Sequence, residues 1–122
     1  MEFTEFNSYI RGYHAYQELW TPVVGENLLL RREPNNSVDP SAVAVLKEDQ
    51  TVGHVPYNIS AVLSHFLRRE GNQGFAEVTG NKVNRGAGYG LEIPCNYKLY
   101  GQKLYIERLK EIVQSLQEKG LL

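Results

Sequence analysis

The sequence predicts a mainly β domain with helices (α+β). The expected form is a small OB-like β-barrel of about six strands, with one inserted helix and a C-terminal helix. Three observations predict it. Short apolar runs recur at close spacing, separated by Gly- and Pro-rich clusters, as in barrels and sandwiches. Two longer segments instead carry apolar residues at helical spacing. The chain has 122 residues, of which 42 % are apolar and 22 % charged, which suits one domain with one modest core. An SH3-like barrel with a helix inserted mid-chain has the same signature.

Residues 1–7, MEFTEFN, read as an acidic, polar N-terminal extension and not as a signal peptide. Residues 8–101 form the barrel and residues 102–122 the C-terminal helix. SYIRGYHAY reads as a tyrosine-rich strand, and QELWTPVVG as a loop broken by Pro22 and Gly25. ENLLLRRE alternates weakly and reads as a strand. AVAVLKE and TVGHV form a hairpin through EDQ, and Pro56 ends it.

Asn58 is placed to cap a helix whose stripe is Ile59, Val62, Leu63, Phe66 and Leu67. Arg68 and Arg69 suit its last turn, Gly71 its exit, and His65 falls off the stripe. FAEVTGNKV reads as a further strand and NRGAGYG as a glycine-rich hairpin loop. In LEIPCNYKLY, residues Leu91, Ile93, Cys95, Tyr97 and Leu99 share one face. Pro94 predicts an edge or a bulge there, and Cys95 a small buried hydrophobe. The last segment has Tyr105, Leu109, Ile112 and Leu116 on one helical stripe, widened by Ile106 and Val113. That face either docks on its own barrel or, through residues 103–116, makes a homodimer or partner contact.

Thirteen basic and fourteen acidic residues give a net charge of −1, which argues against a non-specific nucleic-acid coater. The single Cys95 excludes an internal disulfide and fits an intracellular setting, nuclear or cytoplasmic. The apolar runs are too short to span a membrane. His14, His54 and His65 have no metal-ligand neighbours at helical or turn spacing, and no P-loop, dinucleotide or nucleophile-elbow pattern occurs. A binding module without cofactor or metal is therefore expected, not an enzyme. Exposed aromatics could stack on bases, with candidates Tyr13, Tyr16, Trp20, Tyr57 and Tyr89. Trp20 and Tyr89 rank first because they lie in loops with poor core patterning.

One connection is too long for a turn. EPNNSVDPSA spends ten residues between two strands, with two prolines and an Asn-Asn pair. Its neighbourhood reads Arg32-Glu-Pro34-Asn-Asn36-Ser-Val-Asp39-Pro-Ser-Ala42, followed by Val52-Gly-His54-Val-Pro56. With Arg11-Gly12, the glycine-rich loop and the L-x-I-P strand, this set resembles the HIRAN domain over roughly residues 8–101.

The resemblance implies an OB-like barrel with an inserted helix, found in fork-remodelling ATPases and as stand-alone proteins. It also implies a partner, the 3′ end of single-stranded DNA. In that scheme Asp39 accepts a hydrogen bond from the terminal 3′-hydroxyl and His54 sits near the terminal nucleotide's backbone. Asn36, Arg32, Trp20, Tyr57 and Tyr89 complete the expected site. A carboxylate rewards a free hydroxyl and repels a terminal phosphate. The alternative is that Asn36 and Asp39 only close the turn through Asx-type bonds.

Several positions depart from the DNA-binding members. Val38 stands where they have tyrosine, Glu18 and Leu19 where they have an Arg-Tyr pair, Tyr57 for a lysine and Leu91 for a phenylalanine. These departures leave open a second reading, a protein-interaction module that has lost DNA binding.

Overall fold

The computed structural model describes residues 1–86 and 88–122. Along the chain it contains β1 (Glu2–Ile10), β2 (Asn27–Arg32), β3 (Val43–Lys47), β4 (Gln50–His54), α1 (Tyr57–Leu67), β5 (Gln73–Val78), β6 (Val83–Asn84), β7 (Leu91–Gly101) and α2 (Lys103–Glu118). The strands pair antiparallel in the order β1-β7-β5-β2-β3-β4, with β6 on β7. The sheet curls as an OB-like barrel without a closing ladder. Its two edge strands meet at a single bridge, where Arg11 and His54 exchange backbone hydrogen bonds.

The start of the chain differs from the expected extension. Residues 2–10 pair along β7 from Glu2↔Gly101 to Ile10↔Ile93. The physical reason is a period-two pattern: Phe6 and Ile10 point inward and are buried, while Glu5 and Asn7 on the other face stay exposed. The tyrosine-rich stretch that follows is not strand beyond Arg11. Gly12 takes φ +79°, which turns the chain into a short 3₁₀ helix, Tyr13–Ala15.

The β3–β4 hairpin turns on Glu48 and Asp49, both at positive φ, which matches the right-handed strand twist. FAEVTGNKV divides into two pieces: β5 ends at Val78, where Thr79 donates to the Pro94 carbonyl, and Val83–Asn84 pairs separately with β7. Pro94 lies inside the central strand β7, not at an edge. Its carbonyl takes the Thr79 N–H, and β5 pairing stops one residue away, at Cys95, so its missing donor breaks no ladder bond on that side.

Pro56 holds the N-cap position of helix α1, which has no side-chain cap; Asn58 lies within the first turn and its carboxamide donates to the Leu121 carbonyl. Ile59, Leu63 and Phe66 bury its expected stripe. Helix α2 buries Ile106, Leu109 and Val113 against β1, β7 and α1, so the apolar face docks on its own barrel. The core continues through Leu28, Val43, Val45, Val52, Ile93, Tyr97 and Leu99. Cys95 is buried within it, as its alternation predicts, and burial pushes the thiol up to about 12.

Candidate functional site

The long β2–β3 connection is stapled by its own side chains. The Asn36 Oδ1 accepts the N–H groups of Val38 (2.9 Å) and Asp39 (3.1 Å), and the Asp39 Oδ1 accepts the N–H of Ser41 (2.9 Å). The Asx-type closure is therefore present. It uses one oxygen of Asp39. Among the described residues, Oδ2 has no hydrogen-bond donor, and the carboxylate borders a pocket of about 330 Å³.

That pocket gathers residues from four parts of the chain: Asn36, Val38 and Asp39 from the loop, His54 from the end of β4, Tyr57 from α1, and Arg11 after β1. His54 is held in place from behind. Its Nε2 lies 2.7 Å from Glu33 Oε1, which also accepts from Asn36 Nδ2 at 3.3 Å. A carboxylate oxygen accepts, so in this contact the Nε2 carries the hydrogen and donates. The histidine pairs with Glu33, so no Asp39–His54 acid–base couple forms.

Gly53 is required by the same arrangement. A Cβ there would lie 2.4 Å from Ile10 Cγ2 and 2.9 Å from the Arg11 carbonyl oxygen. The Val-Gly-His sequence thus lets β4 approach the end of β1 closely enough for the Arg11–His54 bridge.

The other expected residues lie elsewhere. Trp20 is a correction: it is 4 % exposed, its ring packs edge-on to Tyr13, and its Nε1 donates to Glu26 Oε1 at 2.8 Å. It is a core residue with no face open to a base. Arg32 donates to Ser64 Oγ of α1 at 3.1 Å and does not line the pocket. Tyr89 is exposed but lies under the Arg11 guanidinium, 3.8 Å from its centre. Tyr57 is 78 % exposed on the pocket rim, where its ring is open to a ligand. Glu18 and Leu19 do not line the pocket, nor do Arg31 or Arg85.

Sequence reasoning missed two residues here. Arg11 supplies the guanidinium of the pocket, and Glu92, fully buried, anchors it: Arg11 Nε donates to Glu92 Oε2 at 3.0 Å. The signal was an acidic residue next to the buried Ile93 of β7, facing Arg11 where the β1 register runs on past Ile10. Burial pushes the Glu92 carboxyl up, but hydrogen bonds and charge from Arg85 and Arg11 outweigh it and hold it below its ordinary value.

Among the described residues, no helix is long and apolar enough to cross a membrane, and no cluster of three or more His, Cys, Asp or Glu could hold a metal. The architecture is that of a small OB-like barrel with a pocket at its strand ends. The family model of the HIRAN domain matches residues 4–104, and the chain belongs to that family. The fold is similar to the crystal structure of the HIRAN domain of human HLTF, at 19 % identity and TM-score 0.70, covering 91 % of this chain and 87 % of that one. It is also similar to the NMR structure of the HLTF HIRAN domain in its DNA-bound conformation, at 22 % identity and TM-score 0.59, covering 95 % and 88 %. A crystal structure of a protein from Lactobacillus plantarum matches at 19 % identity and TM-score 0.56, covering 82 % and 100 %. No curated protein sequence matches the chain.

Proposed function

We propose that this chain is a non-catalytic module that binds single-stranded DNA at its 3′ end, in the Asp39–His54 pocket. The observation that carries the reading is the available Asp39 Oδ2, set beside His54 and Arg11 in one pocket by a stiffened loop. Family membership and the likeness to a HIRAN domain in its DNA-bound conformation support it.

Each group has a defined task. Asp39 Oδ2 accepts the hydrogen of the terminal 3′-hydroxyl and repels a terminal phosphate. Arg11 faces the backbone as a guanidinium donor. With its Nε2 turned to Glu33, His54 offers Nδ1 and the ring edge to the terminal nucleotide. Tyr57 offers an exposed ring for base stacking, worth about 1–3 kcal/mol per base. Val38 leaves a second stacking position empty of aromatic surface, and the net charge of −1 adds no general attraction, so affinity is expected to be modest.

The test is fluorescence anisotropy at low salt with one oligonucleotide carrying either a 3′-hydroxyl or a 3′-phosphate. Wild type is expected to prefer the hydroxyl, and Asp39→Ala to lose the preference. Equal binding of both ends by wild type would overturn end reading.

A second reading has one observation behind it. A groove of about 260 Å³ between α1 and α2 is lined by Val62, Tyr105, Ile112 and the exposed Leu104. A partner or second copy there would make the domain a protein-interaction module. A dimer by sedimentation that Leu104→Glu dissolves would favour this reading.

A further inference from the structure

Arg11 also lines a second pocket, of about 380 Å³, with Tyr9, Ser8, Thr79 and Arg85. The two pockets are adjacent. The first turn of α1 borders both, with Tyr57 on the first and Pro56 and Asn58 on the second.

Two guanidiniums share one buried carboxylate here. Arg11 Nε and an Arg85 terminal nitrogen both touch Glu92 Oε2, at 3.0 and 3.1 Å, while Arg85 Nε reaches Oε1 at 2.8 Å. Each guanidinium also stacks on a tyrosine ring, Arg11 on Tyr89 and Arg85 on Tyr9, both 3.8 Å from the ring centre. Two positive groups against one negative leave the cluster at net +1. A carboxylate and an aromatic face on each arginine fix its orientation without using all five donors. Among the described residues that line this pocket, Arg11 and Arg85 are the cationic side chains. A preorientated guanidinium pair with spare donors suits a phosphate oxyanion.

We propose that this second pocket is a phosphate subsite. It takes the phosphate that joins the second and third nucleotides from the 3′ end, which a dinucleotide without a 5′-phosphate lacks, with Arg85 as its own donor and Arg11 shared between the pockets. The proposal rests on the DNA-end reading above. Glu92 acts as a positioning residue, through the two arginines.

The experiment compares a 3′-hydroxyl dinucleotide with a 3′-hydroxyl hexanucleotide, on wild type and on Arg85→Gln. That variant keeps the Arg11–Glu92 pair, so Arg11 stays anchored and the buried carboxylate stays paired. It is expected to hold the dinucleotide within about twofold of wild type and to lose about tenfold on the hexanucleotide. Its log–log salt slope on the hexanucleotide should fall by about 0.7, one phosphate contact. Unchanged hexanucleotide affinity and slope would overturn the subsite. Should Arg85→Gln melt about 10 °C or more below wild type, Arg85→Lys, which keeps Glu92 paired, is expected to lose about threefold on the hexanucleotide alone, because an ammonium cannot make the two-pronged contact, and no loss would overturn the subsite. A hexanucleotide that binds wild type through Arg85 but ignores the 3′ group would keep the subsite and remove end reading. No binding of either oligonucleotide to wild type would remove both.

Discussion

Arg11 and His54 exchange two backbone hydrogen bonds, each 2.9 Å, and so join the first and last strands of the sheet path at the rim of the pocket. Both side chains also line that pocket. Fold closure and site assembly are therefore one event, and Gly53 permits it. Gly53→Ala is expected to destabilise the domain by about 1–3 kcal/mol through overpacking against Ile10 and the Arg11 carbonyl. Urea midpoints would measure this, and an unchanged midpoint would mean that the two strand ends are not tightly apposed.

Trp20 is the single tryptophan of the chain and lies in the core. Trp20→Phe removes the bond to Glu26 and should cost about 1–2 kcal/mol, with oligonucleotide affinity within twofold of wild type. A large affinity loss without a stability loss would return Trp20 to the binding site.

Val38 stands 93 % exposed beside Asp39, where the resemblance expects tyrosine. Val38→Tyr should add a stacking face to the pocket rim and raise affinity for single-stranded DNA about tenfold, toward the lower end of the range for one base–aromatic stack. Anisotropy titration of the two proteins side by side decides it, and no gain would place the bound base away from this rim.

Glu92 predicts an acid-side loss of stability. Its folded pKa lies below the ordinary 4.5, so the unfolded chain takes up the proton first as pH falls. The stabilisation is fully present above 4.5 and is lost as pH drops from there through the depressed folded value. Glu92→Gln should flatten this part of the acid limb. Urea midpoints at pH 7, 5, 4 and 3 read it directly, and parallel curves for the two proteins would contradict the assignment.

Cys95, with its thiol pushed up to about 12, should resist alkylation at pH 8 in the native protein and react once the chain is unfolded in urea. Rapid native labelling would show that β7 opens locally.

Much of the fold was legible in the sequence because local chemistry and global pattern agreed. The alternation of β7, the stripe of α1 and the face of α2 all carried their periods openly. The loop motif around Asp39 was legible for a different reason, its dense turn chemistry. What was missed depends on distant pairing. β1 looks polar until β7 lies beside it and gives Phe6 and Ile10 an inward side. Glu92 reads as an outward charge until Arg11, 81 residues away, reaches it. Trp20 reads as a loop aromatic because its burial depends on Tyr13 and Glu26, and the stretch that carries all three has no sustained helix or strand pattern. Asn58 has a capping side chain, but Pro56 already starts the helix, so the carboxamide turns to the C-terminal segment.

The pairing of β1 with β7 also sets the order in which the molecule becomes a molecule. Glu2 meets Gly101, so the earliest strand synthesised waits for the latest before it has a partner. Until then Phe6 and Ile10 have no wall to pack against, and the Arg11–Glu92 ion pair has only one member. Contacts of such long sequence separation make folding slow, because the loop they close is costly to order. A nascent chain halted before β7 would expose an unpaired apolar strand, and it should aggregate or be degraded rather than act as a partial domain.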